Sequence, residues 1–393
     1  MISAIAPVSA LLLSVFILIA GHGLMSTLTP LAASSFGFSG STIGLIGAAY
    51  YAGMLAGSFS AAYVLRAAGH IRAFSALTAV GVALVLLMPM VVSPIAWTFA
   101  RMGHGFCIAA LYTTIESWLN TRAPNDWRAR ILSVYNVMHF AGSAAGQQAL
   151  GFIPPSNFAV FSIGGMLMAL SILPLAFTKA DPPAPPEAKR LRVGWLWSVA
   201  PTSAVCSFLL GCSSGGFWAL GPFWAAQIGY APVEVALFMS AVIIGCAAGQ
   251  LPAGYIGDRM DRRLVLAGFA ALACLCCLTL SFMTRESTST IAGFIYGVAI
   301  PTMSVMCSAH ANDRAGRQHA VEVASSNLFL YCLGALSGPV ITAFLMSGFG
   351  PRMLFIVNAV VYGGMVAFVL LRIRAREEAP LKQPVETQPI RIK

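Results

Sequence analysis

The sequence predicts an all-α membrane protein of twelve transmembrane helices, arranged as two six-helix pseudo-repeats. Three observations predict it. Of 393 residues 58% are hydrophobic and only 9% charged, a balance outside that of soluble globular domains. Twelve apolar runs are each long enough to cross about 30 Å of hydrocarbon. Sliding the chain by 192 residues without a gap superposes Gly23 on Gly215, Pro30 on Pro222, Gly53 on Gly245, Tyr63 on Tyr255, Gly105 on Gly297, Asn120 on Asn312, Arg122 on Arg314 and Gly146 on Gly338. One register running through a whole half is that of a duplicated bundle, and its shared small residues mark close helix approach.

Helix one, 8–33, has no basic region ahead of it and too long an apolar run for a cleaved signal peptide, so it reads as a span. Helices two to six follow at 42–65, 72–92, 95–120, 130–153 and 158–178. Residues 179–194, KADPPAPPEAKRLRVG, hold four prolines that cannot continue a helix and charges that cannot enter lipid. Helices seven to twelve are placed at 195–227, 233–257, 264–284, 288–310, 321–347 and 351–371. The expected organisation is a first bundle 1–178, a cytoplasmic linker 179–194, a second bundle 195–372 and a polar, Pro-bearing, disordered cytoplasmic tail 373–393.

Charge tests this map. All but three of the 23 Lys and Arg residues fall in alternate loops, the linker and the tail; Arg285 and Arg352 lie on the opposite side and Arg101 lies within a span. The positive-inside rule then puts both termini in the cytoplasm of a bacterial inner membrane, which requires an even number of crossings. The net charge of +10 is spread over short loops, with no basic helix or aromatic-basic platform, so nucleic acid is not the partner. The nine cysteines sit inside apolar runs and read as small hydrophobes, leaving no metal spacing and no cofactor motif.

The loop after helix eight, GYIGDRMDRRLVL from Gly254 to Leu266, resembles the loop motif of the major facilitator superfamily. The equivalent loop after helix two keeps Gly57, Arg66, Gly69 and Arg72 but lacks the acid. Arg101 followed by Gly105 resembles that superfamily's helix-four motif. IESWLN (115–120) with the run from Arg128 to Gln148 resembles the bacterial YcaD-type subgroup. The resemblance covers essentially the whole chain and implies two halves that rock about a midplane site lined by helices one, four, seven and ten. The superfamily's glycine-proline antiporter step is absent from helix five, where Gly146 precedes Gln147 and Gln148.

The stretch 93–120 carries the chemistry. At 100° per residue Arg101, Gly105, Ile108, Tyr112 and Glu116 share one face, with His104 at its border. An Arg at membrane depth costs about 2.5–3.5 kcal/mol on insertion scales, so it faces protein or water. Counting 1.5 Å per residue puts Arg101 about 10 Å and His104 about 15 Å below the outer end of helix four, at a height similar to His22 of helix one. Under the 192-residue shift His22 meets Ser214, Arg101 meets Gly293 and His104 meets Tyr296. The titratable groups are thus placed in the first half, with hydroxyls and aromatics in the second. The candidate substrate residues are Arg101, His22, His104, Tyr112, Ser214, Trp218 and Tyr296. Arg101 fits a carboxylate or phosphate, or alternatively helix-end carbonyls. The histidines either carry protons or are neutral packing groups. Glu116 with Arg130, and Asp258, Arg259 and Arg263 with Glu322, are the candidate gating ion pairs.

The expected function is secondary active transport of a small organic, anionic solute by a monomer, with a proton as coupling ion. No Walker phosphate loop is present and no nucleophile-base arrangement marks an enzyme. Two alternatives stay open: a proton-driven exporter of lipophilic or cationic compounds, and a non-transporting membrane sensor of the same fold.

Overall fold

Lipid supplies no water for backbone N–H and C=O groups, so a chain this apolar closes its hydrogen bonds within helices. The computed structural model describes residues 9–122, 127–177, 190–257, 259–282 and 286–377, and no strand occurs among them. Asp258, most of the expected linker and the tail beyond Glu377 lie outside the described residues. Twelve long helices follow one another: α1 Ser9–Ser35, α2 Gly40–Ala68, α3 His70–Met90, α4 Pro94–Arg122, α5 Arg128–Gln147, α6 Phe158–Ala176, α7 Pro201–Gln227, α8 Pro232–Gly257, α9 Arg262–Phe282, α10 Glu286–Ala315, α11 Ala320–Phe349 and α12 Met353–Glu377.

Local chemistry sets their ends. Ser39 caps α2 by accepting from the Thr42 N–H at 3.2 Å, and Asn157 caps α6 by accepting from Ala159 at 2.9 Å. Glu234 accepts from the Ala231 N–H at 2.6 Å in the first turn of α8. After α1 and α7 the chain turns at Gly37 (φ 79°) and Gly229 (φ 99°), twins under the 192-residue shift, in a region that only glycine enters cheaply. Helix seven differs from expectation. A seven-residue helix Val193–Val199 comes first, Ala200 leaves helical geometry at φ −140° and ψ 63°, and α7 restarts with Pro201 where no backbone N–H is needed. The last helix also continues to Glu377, past the boundary placed at 372.

The duplication is written into the packing. A Cβ at Gly53 or Gly105 of α2 and α4 would collide with the carbonyls of Met102 and Tyr50. At Gly245 and Gly297 of α8 and α10 it would collide with those of Phe294 and Val242. Each residue and each partner differ from their twins by the same 192 positions. Gly142 and Gly146 of α5 likewise rest on Phe16 and Ala20 of α1, as Gly334 and Gly338 of α11 rest on Phe208 and Cys212 of α7. Such contacts substitute for hydrophobic association, which lipid does not drive.

Across the halves α2 meets α7 and α11, and α5 meets α8. The contacts are tightest at the arginine-poor end. There a Cβ on Gly44 would lie 2.7 Å from the Pro339 carbonyl oxygen and closer still to the Ala343 methyl, and the Ser41 and Ser347 hydroxyls stand 3.3 Å apart. On the other pair Asn136 donates to Gln250 at 3.0 Å and Gln148 to Ser240 at 2.9 Å. Ten of the twelve helices are apolar enough by composition to cross a membrane. The two that fall short are α4 and α5, which carry Arg101, His104 and Glu116, and Asn136, His139 and Gln147.

Candidate functional site

Because Gly105 has no side chain, the Tyr50 carbonyl of α2 seats directly on α4, one turn beyond Arg101. That crossing brings the Tyr50 ring under the Arg101 guanidinium, 4.6 Å from its centre, a cation–π contact. One turn along α4, Arg101 Nη1 donates to His104 Nδ1 at 3.2 Å. A guanidinium only donates, so His104 accepts there and carries its proton on Nε2. From α1 the His22 ring lies 5.5 Å from that of His104 and stacks 5.9 Å from Tyr50, whose hydroxyl is 3.4 Å from His22 Nε2. Tyr112 joins His22 at 6.5 Å and His139 of α5 at 5.5 Å. Gln147 of α5 accepts from Thr27 of α1 at 2.9 Å.

These groups form one wall of a cavity of about 230 Å³ between the halves. The first half contributes His22, Tyr50, Arg101, Tyr112, His139 and Gln147, and the second contributes Trp218, Ala219, Ile243 and Tyr331. Among the described lining residues no Asp or Glu occurs, and Arg101 is the one with a permanent charge. Arg101 is 6% exposed, yet its Nε has no hydrogen-bond partner; nor do His104 Nε2 and His22 Nδ1. A buried donor left unpaired costs about 1–3 kcal/mol, more when charged. A narrow extension of about 20 Å³, room for a single water, passes Arg101 toward Pro30 and Ile43 at the arginine-poor end. On the other side a second void of about 280 Å³, bounded by Ser207, Ser304, Ser308 and Asn327, shares Tyr331 with the first and continues toward the arginine-rich end.

Of the residues singled out from sequence, His22, Arg101, Tyr112 and Trp218 line the cavity. His104 does not: it is 1% exposed and stands behind Arg101 as its hydrogen-bond acceptor. Ser214 and Tyr296 are fully buried elsewhere. Tyr296 precedes Gly297, whose seat against α8 turns the ring into the core of the second half, 5.1 Å from Phe217 and with its hydroxyl 3.2 Å from that of Tyr362. Ser214 precedes Gly215, which packs on Ala335 of α11. The lining residues Thr27, Tyr50, Tyr51, His139 and Gln147 are not among the candidate substrate residues singled out from the sequence. The Gly105 signal, taken as a crossing point with α2, would have pointed to Tyr50.

Three of the candidate gating arginines, Arg130, Arg259 and Arg263, have nearby partners of their own. Glu116 is exposed near the arginine-rich end of α4, and Arg130 lies 4.7 Å over the Trp127 ring. Arg259 covers the Tyr255 ring at 3.9 Å and donates to its hydroxyl. Arg263 pairs with Asp261 at 2.7 Å and Arg262 with Asp313 at 2.6 Å. Glu322 is 8% exposed and forms no ion pair among the described residues, where the acids paired with this basic cluster are Asp261 and Asp313. Hydrogen bonding to Arg263 holds the Asp261 carboxyl below the usual carboxylate range. No group of three or more His, Cys, Asp or Glu able to hold a metal occurs among the described residues.

Comparison with known proteins agrees with this architecture. The profile of the Major Facilitator Superfamily matches residues 11–199 and again 203–392. The uncharacterized MFS-type transporter YcaD of Escherichia coli is 26% identical over 391 residues, covering 96% of this chain and 98% of that protein. Among solved structures, a bacterial homolog of the human lysosomal transporter Spinster, inward-facing and unoccupied, superposes with TM-score 0.81 at 14% identity over 97% of this chain and 99% of that one. The nucleoside transporter NupG gives TM-score 0.77 at 14% identity, covering 93% and 99%.

Proposed function

Because this chain belongs to the Major Facilitator Superfamily, we propose that it is a secondary transporter that moves a small organic solute bearing an anionic group, coupled to protons, by alternating access. The observation that carries the reading is Arg101, a buried cation with an unpaired Nε on a cavity whose described lining holds no carboxylate. Its present contacts, an imidazole nitrogen and a phenol ring, are both neutral. An arriving carboxylate supplies the missing negative charge through charge-assisted hydrogen bonds. A lipophilic cation would find Tyr50, Tyr51 and Trp218 but would meet this fixed positive charge. The imidazoles of His22 and His139, which line the cavity, are the groups suited to carry the proton.

The glycine-packed closure at the arginine-poor end, with void continuing toward the arginine-rich end, favours a state open to the cytoplasm. In this reading the monomer works in a bacterial cytoplasmic membrane with both termini inside. The test is uptake of organic anions into proteoliposomes under an imposed pH gradient, with Arg101→Gln alongside. Gradient-dependent accumulation that the substitution abolishes supports the reading. Transport of an identified anion at an unchanged rate in Arg101→Gln overturns it.

A further inference from the structure

We infer that the solute taken by this cavity is a monocarboxylate with a flat, apolar body, an arene carboxylate in chemical class; this rests on the anion reading above. Four features converge on it. First, charge: Arg101 is the one permanently charged group among the described lining residues, so one carboxylate is compensated. A second would be buried without a partner, a cost of several kcal/mol in a low-dielectric site.

Second, the shape of the head. Arg101 Nη1 is taken by His104 and one face of the guanidinium lies on Tyr50. Among the described residues Nε has no partner, and the one hydrogen bond given by Arg101 is that of Nη1. The Nε–Nη2 edge presents two parallel N–H groups spaced for the two oxygens of one carboxylate.

Third, the body. The same cavity is also lined by Trp218 and Ile243 from the second half and Phe140 and Ile19 from the first. Trp218 is only half-buried, whereas Trp97 and Trp224, which serve the core, are 0% and 1% exposed. A large aromatic surface left open on a cavity offers stacking to a flat ring. Fourth, about 230 Å³ suits a compact molecule.

The experiment titrates the purified full-length protein in detergent with four probes: benzoate, propionate (same head, no ring), phthalate (second carboxylate) and benzamide (neutral head). Thermal shift and tryptophan fluorescence report binding. Burying a ring is worth about 1.5–3 kcal/mol, so benzoate binds about tenfold or more tightly than propionate. It also binds more tightly than phthalate and benzamide, and Trp218→Ala narrows the benzoate-to-propionate ratio to about threefold or less. Propionate or phthalate matching benzoate, or a ratio unmoved by Trp218→Ala, overturns this inference and leaves the anion reading standing. Benzamide matching benzoate, with Arg101→Gln without effect, overturns both. A folded, monodisperse protein that binds none of the four also overturns the inference.

Discussion

The paired glycine crossings allow the packing of the scaffold to be separated from its chemistry. A methyl group added at Gly53 would lie 2.7 Å from the Met102 carbonyl carbon and 2.9 Å from Phe106 N. At the twin, Gly245, it would lie 3.0 Å from the Phe294 carbonyl carbon and 3.2 Å from the Gly297 Cα. Both methyls would lie closer still to the Met102 and Phe294 carbonyl oxygens, and ordinary contact begins at 3.4 Å, so α2 and α4, or α8 and α10, must part by about an ångström or more. Overpacking of this kind costs about 1–3 kcal/mol, against about 1 kcal/mol regained from the helix propensity of Ala. At Gly268 of α9 nothing lies within 4 Å, so Gly268→Ala is neutral or mildly stabilising. Function should divide the twins. Parting α4 from α2 lifts Arg101 away from Tyr50, whereas the second-half crossing holds no residue of the charged wall. Gly53→Ala and Gly245→Ala are both expected to melt below wild type and below Gly268→Ala in detergent. Only Gly53→Ala should also weaken benzoate binding, by about tenfold, the penalty of one lost increment of about 1.4 kcal/mol. Equal affinity losses in the twins, or a Gly53→Ala protein as stable as Gly268→Ala, would refute the argument.

Three further outcomes are expected. Gly44→Leu wedges the arginine-poor end open, so that a cysteine at the buried Thr29 becomes accessible to an impermeant maleimide from that side; unchanged labelling counts against closure by small residues. His22→Gln reduces accumulation driven by a pH gradient about tenfold more than it reduces exchange without one, and equal losses in both assays remove His22 from the proton route. Asp261 titrates below the ordinary carboxylate value because Arg263 binds its charged form, so the order this pair gives the 259–262 loop is complete above that value. It is lost only as pH falls through the depressed one. Hydrogen exchange in that loop should therefore be flat above about pH 5 once corrected for intrinsic rate, with loosening confined to lower pH.

Much of the fold was legible because its causes are local or repeated. Apolar length gave the spans, and the 192-residue register named the very glycines that seat each helix on its neighbour. The break at Ala200 was missed since an apolar run conceals where a proline must begin a new helix. Counting rise per residue set His22 and Arg101 at one height, and both face a single void. Rotation about the axis was less legible. His104 and Tyr296 lie at suitable depth but on faces fixed by Gly105 and Gly297, which depth does not encode. The pairing of Arg262 with Asp313 was not legible for another reason: the two are far apart in sequence, and charge type alone does not choose a partner.

The low apolarity of α4 and α5 bears on how the chain enters the bilayer. Both spans are less apolar than the other ten, so each gains more from partners made earlier. The Gly105–Tyr50 and Gly146–Ala20 seats identify those partners as α2 and α1. The expected consequence is that the α4–α5 pair settles in the bilayer as the first two helices dock against it. A nascent chain whose α1 and α2 were scrambled would leave that pair stranded at the translocon and exposed to quality-control proteolysis, even with every codon of the charged wall intact.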